Sequence, residues 1–176
     1  ENALLASRDI ALNVVNPPVL TLNTKGERIE PMSHDVIVVH NINNVGMRDG
    51  ILPGTFQDLS NYVKQGGKLI ITAQQDLDKI NKVDLDIVDL KKLVQDTKRV
   101  CVDAVNELTK DFGNVDCFST VSRYFDASPT KDTITMASAD QASILAFKEH
   151  FKGKVFYYGI IDDSSDFRTL PSYPVF

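Results

Sequence analysis

The distribution of apolar residues along the chain predicts one clear strand–helix–strand unit in its first half. Residues 36–39 are four consecutive β-branched residues, and such a run is typical of a central parallel strand that is covered on both faces. Apolar residues then recur at helical spacing between positions 56 and 63, before the pair Gly66-Gly67, which can end a helix in a left-handed conformation. Residues 68–73 form a second apolar strand. Parallel pairing with a right-handed crossover is the default for this unit.

The second half of the chain is predicted to consist mainly of strands, with antiparallel or mixed pairing. The Asp-rich stretch 74–94 predicts an excursion from the sheet, with helix at residues 90–94. Together, these patterns predict an α/β fold with a mostly parallel central sheet and additional antiparallel strands in the C-terminal half. The predicted C-terminal strands cover residues 99–105, 115–122, 133–137, 143–147 and 154–160.

Length, composition and charge limit the function classes. The 176 residues are 43% hydrophobic and 24% charged, which predicts a single globular domain over residues 1–176. Lys and Arg total 19 against 24 Asp and Glu, a net charge of −5, and the basic residues are scattered, so nucleic acid is a poor candidate partner. The apolar runs are far shorter than the ~20 residues that span a bilayer. Because the chain begins at Glu1 and stops within an apolar segment, we expect it to be part of a longer protein.

Two cysteines are the candidate nucleophiles. Cys101 lies between two valines in a predicted strand, and Cys117 lies between Asp116 and Phe118. Neither has the flanking glycines that a nucleophile elbow requires, and no Gly-x-Ser-x-Gly or Gly-x-Cys-x-Gly motif occurs. The sequence therefore favours buried strand thiols over catalytic ones, and it leaves open whether the two cysteines pair.

Histidines and acidic side chains provide weak candidates for a binding site. His40 ends the first predicted strand and Asn41 follows it, and ligands of open α/β sheets gather at the carboxyl ends of strands. We therefore predict that His40 and Asn41 face a ligand, although a loop histidine with a structural hydrogen bond is the simpler alternative. Near the C-terminus, three residues form an Asp-x-Ser-x-Asp run that could hold a cation, although a solvated acidic turn is favoured: Asp162, Ser164 and Asp166.

Several segments resemble a known family. The order of strand 34–40, helix, Gly66-Gly67 and strand 68–73 resembles the core of class I glutamine amidotransferase-like domains, which have a flavodoxin-like sandwich fold. The chain is similar in particular to the version of this domain found in membrane-anchored von Willebrand A proteins of the BatA-like kind. That similarity rests on YVKQGGKLI at 62–70, GKVFYYG at 153–159, SDF at 165–167 and LPSYPVF at 170–176.

The resemblance implies the fold without the activity. In active members of that family, the strand after the glycine turn runs into a cysteine nucleophile, whereas the matching positions here hold Gln74, Gln75 and Asp76. A carboxamide cannot replace a thiolate, and Asp76 in place of glycine would disfavour the strained turn.

We therefore expect a non-catalytic structural or partner-docking domain without a cofactor, soluble itself and carried by a membrane-associated parent chain with an extracytoplasmic location. The expected partners are other domains of its own chain, such as a von Willebrand A domain, or a further protein. Two alternatives remain, namely a cysteine-dependent hydrolase or amidotransferase-like enzyme, and a metal-dependent binding module.

Overall fold

The computed structural model describes residues 11, 30–40, 53–73, 84–103, 110 and 116–161, with residues 53–56 described by their backbone alone. Within these ranges the elements are a 3-10 turn (Pro31–Ser33), β1 (Val36–Val39), α1 (Pro53–Lys64), β2 (Lys68–Thr72), β3 (Val88–Val94), β4 (Lys98–Val102), β5 (Cys117–Val121), β6 (Tyr124–Pro129), β7 (Ile134–Ala139), β8 (Ala142–His150) and β9 (Gly153–Tyr158).

Seven of these strands form one mixed sheet, in the order β1-β2-β9-β8-β7-β4-β5. The pairs β1–β2 and β2–β9 are parallel, whereas the other four pairs are antiparallel. The strands β3 and β6 form a separate antiparallel sheet. The prediction of a flavodoxin-like α/β sandwich with a mostly parallel sheet is therefore wrong. Two tight hairpins, β7–β8 and β8–β9, impose antiparallel pairing where parallel pairing would need a crossover helix.

The predicted strand–helix–strand unit is present, and its helix ends at the predicted glycine pair. The side chains of Leu59, Tyr62 and Val63 are buried on the inner side of α1. The helix ends as the glycine pair predicts, because Gly66 N–H donates to Val63 O at 2.9 Å and Gly67 N–H donates to Tyr62 O at 3.0 Å. These two bonds form a Schellman motif, and Gly66 has the positive φ of 117° that such a motif favours.

The main core lies on one face of the large sheet. There, β1, β2 and β9 contribute alternate residues such as Leu69, Ile71 and Val155, which pack against α1. The small sheet covers the same face, since Val88 and Ala127 belong to the same buried cluster. A second cluster lies around β4, β5, β7 and β8.

Three further local predictions are wrong. The sequence predicts that β1 is a central strand covered on both faces, whereas β1 is the terminal strand in the described sheet order. Val36 and Val38 remain 41% and 45% exposed. Residues 90–94 belong to strand β3, not to a helix, and β6 has no counterpart among the predicted strands. In the sequence of β3, the adjacent Lys91 and Lys92 interrupt the alternation of apolar and polar residues that would identify a strand. The partners of β3 on β6 lie 30 or more positions later in the sequence, so no local pattern indicates this pairing.

Candidate docking surface on the open face of the sheet

A row of apolar residues, one from each of five adjacent strands, lies on the face of the large sheet that α1 does not cover. Because successive side chains of a strand point to opposite faces, residues in register with an outward residue also point outward. Val38 pairs with Ile70, and Ile70 pairs with Phe156. Phe156 pairs in turn with Phe147, and Phe147 pairs with Ile134. We call these five residues the apolar row.

The apolar row is incompletely covered. Its two ends, Val38 and Ile134, are 45% and 47% exposed, and the three residues between them are half-buried. The rings of Phe147 and Phe156 are stacked, with centroids 6.2 Å apart and an angle of 28° between their planes. The row spans four strand spacings of about 4.8 Å, or roughly 19 Å.

A charged row runs beside the apolar row on the same face. On β1, β2 and β9 this row lies two residues before the apolar row, and on β8 it lies two residues after it. Its members, in order across the sheet, are Val36, Lys68, Lys154 and Glu149, and each is paired with the next. The ammonium of Lys154 lies 3.7 Å from the carboxylate of Glu149, with both side chains about half exposed or more. Lys68 is exposed and forms no ion pair with a carboxylate in the described part of the chain.

His40 lies on the other side of the apolar row, at the carboxyl end of β1, where it was predicted. Its Nδ1 is 2.9 Å from the hydroxyl of Thr72, which donates to Val39 O at 3.4 Å. This hydrogen bond holds the exposed imidazole of His40 against the neighbouring strand β2. Asn41, the other predicted ligand-facing residue, lies outside the described residues.

The two cysteines are joined by a disulfide. Cys101 of β4 and Cys117 of β5 are direct partners across the two strands, and the bond closes a segment with a sequence separation of 16. Phe118 is the extra residue of a bulge beside this pair. Neither sulfur is a free thiol, so the described structure offers no thiolate to the cysteine-dependent alternative.

The remaining predicted site residues are not brought together in the described structure. The positions matched to the nucleophile elbow and the acidic C-terminal run lie outside the described residues, namely Gln74, Gln75, Asp76, Asp162, Ser164 and Asp166. The residues that the structure does describe contain no group of three or more His, Cys, Asp or Glu side chains that could hold a metal ion.

A polar cleft of about 400 Å³ lies at the end of the small sheet. In it, Lys98 lies 3.1 Å from Asp96 and 3.8 Å from Asp140, and the hydrogen bond to Asp96 is the main cause of a raised pKa of Lys98. Asp126 and Lys92 also line the cleft, so its charges largely offset one another. This balance makes the cleft a poor site for a charged ligand.

The β8–β9 hairpin tip combines a half-buried imidazole with an exposed phenyl ring. His150 Nε2 is buried and has no hydrogen-bond partner among the described residues. Burial is the main cause of a lowered pKa of His150, followed by repulsion from Lys148 and Lys64. Next to it, Phe151 is 77% exposed and has a φ of 54°. The ammonium of Lys64 lies 5.4 Å from the Phe151 ring centroid.

Comparison with known proteins assigns the chain to a family. The family model described as a domain of unknown function (DUF7408) matches residues 1–176. The chain belongs to this DUF7408 family. No curated protein sequence matches it significantly.

Solved structures similar to this DUF7408 domain share its fold at low sequence identity. The cytoplasmic protein STM1381 from Salmonella typhimurium LT2 has a TM-score of 0.65 and 16% identity, over 81% of this chain and 68% of that chain. The cytoplasmic protein STM3548 from Salmonella typhimurium has a TM-score of 0.63 and 17% identity, over 82% and 69%. The mmIFT52 N-terminal domain has a TM-score of 0.54 and 12% identity, over 75% and 69%.

The family and its structural neighbours correct the predicted resemblance. The chain is a DUF7408 domain and resembles the two Salmonella proteins, so its identification as a class I glutamine amidotransferase-like domain of BatA-like proteins is wrong. The argument from Gln74 in place of a nucleophile depended on that identification and no longer bears on catalysis. Within the described ranges, no helix has both the length and the apolar character needed to cross a membrane.

His40 lies at the predicted end of β1 and has the structural hydrogen bond of the simpler alternative, whereas the apolar and charged rows were not predicted. The alternation in residues 153–158 already separates Lys154 and Phe156 from Val155 and Tyr157. This signal could have identified one outward face per strand. It could not have shown that the outward residues of five strands are in register, because β2 and β9 are more than 80 residues apart in sequence.

Proposed function

We propose that this DUF7408 domain is a non-catalytic docking module that receives a segment of a protein partner on the open face of its large sheet. The apolar row is the observation that carries this proposal. Single exposed apolar residues are common on protein surfaces, whereas a continuous apolar strip of aromatic and branched side chains is typical of an interaction site.

The composition of the row supports a docking role over a purely structural one. Phe147 and Phe156 form a stacked aromatic centre that also packs against the second buried cluster, and the exposed Val38 and Ile134 extend the row to both sides. Aromatic anchors surrounded by smaller contacts are the usual arrangement of an interface with a few dominant residues. Neither end of the row takes part in the buried clusters, so their apolar character is not required by the core of the domain.

The disulfide bears on both catalysis and location. With Cys101 and Cys117 paired, a cysteine-dependent reaction has no nucleophile, and iodoacetamide should label neither sulfur in the native oxidised protein. Structural disulfides persist mainly in oxidising compartments, which supports an extracytoplasmic location of this domain. The two Salmonella proteins are described as cytoplasmic, but they share only the fold with this chain.

A displayed library of 16-residue random peptides, panned on the oxidised domain, tests the docking proposal. The test variant carries Val38→Lys and Ile134→Lys, which changes only the exposed ends of the apolar row. The matched control is Leu93→Lys, because Leu93 is 37% exposed on the other sheet. Thermal melting of each variant checks that the fold is retained.

We expect the enriched peptides to compete with one another for one site. Their affinity for the double variant should be roughly 30-fold lower than for the wild type, since each of the two exposed apolar contacts contributes on the order of 1 kcal/mol. Binding to the Leu93→Lys control should be unchanged. Peptides that bind the double variant as tightly as the wild type would show that the apolar row is not the docking site.

A further inference from the structure

The charged row lies beside the apolar row on one side only. Lys68 and Lys154 are directly paired on adjacent strands, and only Glu149 offsets them within the row. On the other side, the corresponding row consists of uncharged Thr72, Tyr158 and Leu145, with His40 at its end. The open face therefore has a locally positive flank on a chain with a net charge of −5.

This placement of the lysines does not serve the stability of the sheet. Like charges on directly paired positions of neighbouring strands repel one another. The ion pair of Lys154 with Glu149 is long and exposed, and such pairs contribute little. A carboxylate supplied from outside, between the two ammonium groups, would relieve their repulsion.

The spacing of the apolar row favours a helix over a strand as its occupant. Its members recur once per strand, or about every 4.8 Å. Side chains on one face of an α-helix recur every three or four residues, about 4.5 to 6 Å along the axis, whereas those on one face of a strand recur about every 6.7 Å. A length of roughly 19 Å corresponds to about 13 helical residues.

Building on the proposed docking role, we propose that the partner segment is an amphipathic α-helix with acidic side chains along one flank of its apolar face. The helix crosses the five strands along the apolar row. Its Asp or Glu residues lie over Lys68 and Lys154, about two strand residues away from Ile70 and Phe156. The opposite flank of the helix, over Thr72 and Tyr158, has no requirement for charge.

Parallel panning tests this partner chemistry. The same 16-residue library is panned on the wild-type domain and on a Lys68→Gln/Lys154→Gln variant, and the enriched peptides are sequenced. We expect the wild-type pool to carry Asp or Glu on one flank of an i, i+3, i+4, i+7 apolar pattern. The variant pool should keep the apolar pattern without the acidic flank.

Binding measurements by fluorescence anisotropy then use the best wild-type binder and a version with Gln in place of its flank Glu or Asp residues. On the wild-type domain the Gln version should bind about fivefold more weakly, the effect of two exposed charge pairs. On a Lys68→Glu/Lys154→Glu variant this preference should reverse. The control is Lys91→Glu/Lys92→Glu on β3, which makes the same change of charge on exposed lysines of the other sheet and should leave the preference intact.

The outcomes separate this inference from the docking proposal. Peptides that depend on Val38 and Ile134 but show no acidic enrichment would overturn the acidic helix and leave the docking surface in place. Peptides that do not depend on those two residues would overturn both. Sedimentation that shows a dimer of the wild type and a monomer of the Val38→Lys/Ile134→Lys variant would identify a second copy as the occupant and overturn the acidic partner.

Discussion

The contact between the β8–β9 hairpin and the end of α1 provides the sharpest test of the fold. Gly153 begins β9, and a β-carbon built there would overlap the carbonyl oxygens of Val63 and Gly67 and approach the Val63 carbonyl carbon to 3.0 Å. All three atoms belong to the backbone, so a side-chain rotation cannot relieve the overlap. The substitution Gly153→Ala therefore requires α1 and β9 to move apart.

The expected loss of stability follows from two contributions. Forcing an extra carbon into a closely packed contact typically costs about 1 to 3 kcal/mol. Because the atoms that it meets here belong to the backbone and cannot rotate away, we expect a cost at the upper end, about 3 kcal/mol. Separation also lengthens the hydrogen bond from Lys154 N–H to Gly67 O, now 3.2 Å, at a cost of about 1 kcal/mol. For a chain of this length, about 4 kcal/mol corresponds to a fall in Tm of roughly 8 to 16 °C.

Thermal and urea denaturation followed by circular dichroism measure this effect. The control is Lys152→Ala, since Lys152 is the exposed neighbour of Gly153 and its change should stay within about 0.5 kcal/mol. A second comparison is Gly66→Ala, which meets no atom closer than 3.9 Å but must adopt a φ of 117°, so its loss should lie between the other two. A Gly153→Ala protein within 1 kcal/mol of the wild type would refute the described packing of α1 on β9.

Three further predictions concern the disulfide and the hairpin tip. Replacing Cys101 and Cys117 together by Ser should lower the free energy of unfolding by about 3 kcal/mol, as expected for a closed segment of this length, and reductant should lower that of the wild type equally but leave the variant unchanged. Phe151→Asn should raise stability by up to about 1 kcal/mol in urea denaturation, because Asn tolerates the positive φ that Phe adopts here; a loss would show that the ring is held by contacts. His150 has a folded-state pKa below its ordinary value of 6.5, so the unfolded chain binds the proton more readily and stability should fall as the pH drops below about 6.5. His150→Gln should show a smaller fall between pH 7 and pH 5 than the wild type, and parallel pH profiles would contradict the lowered pKa of His150.

The elements closest together in sequence were the most predictable. The strand at 36–39, the helix that ends at Gly66 and the strand that begins at Lys68 follow from local apolar periodicity and from the backbone freedom of glycine. Their parallel pairing follows from the handedness and length of the connection. The prediction of a mostly parallel sheet failed because it extended this one unit to the whole chain, although the second half forms hairpins.

In the candidate site, too, local features were predictable from the sequence and long-range contacts were not. His40 was predicted from its position at the end of a strand, and the structure places its ring beside Thr72 of the neighbouring strand. The family resemblance that singled out Gln74 was wrong, because a strand, a helix and a glycine pair recur in unrelated α/β folds. The pairing of Cys101 with Cys117 could not be inferred from their spacing, since it depends on a bulged register between β4 and β5.

By itself, the sequence determined the alternation of side chains within strands such as β9, the end of the helix and the acidic character of the chain, because these depend on neighbouring residues and on composition. Only the tertiary structure decided which outward side chains stand side by side. Strand order and register join Val38, Ile70, Phe156, Phe147 and Ile134, which are spread over positions 38–156 of the sequence. These contacts depend on long-range hydrogen bonding between strands, and no local pattern encodes which strands pair.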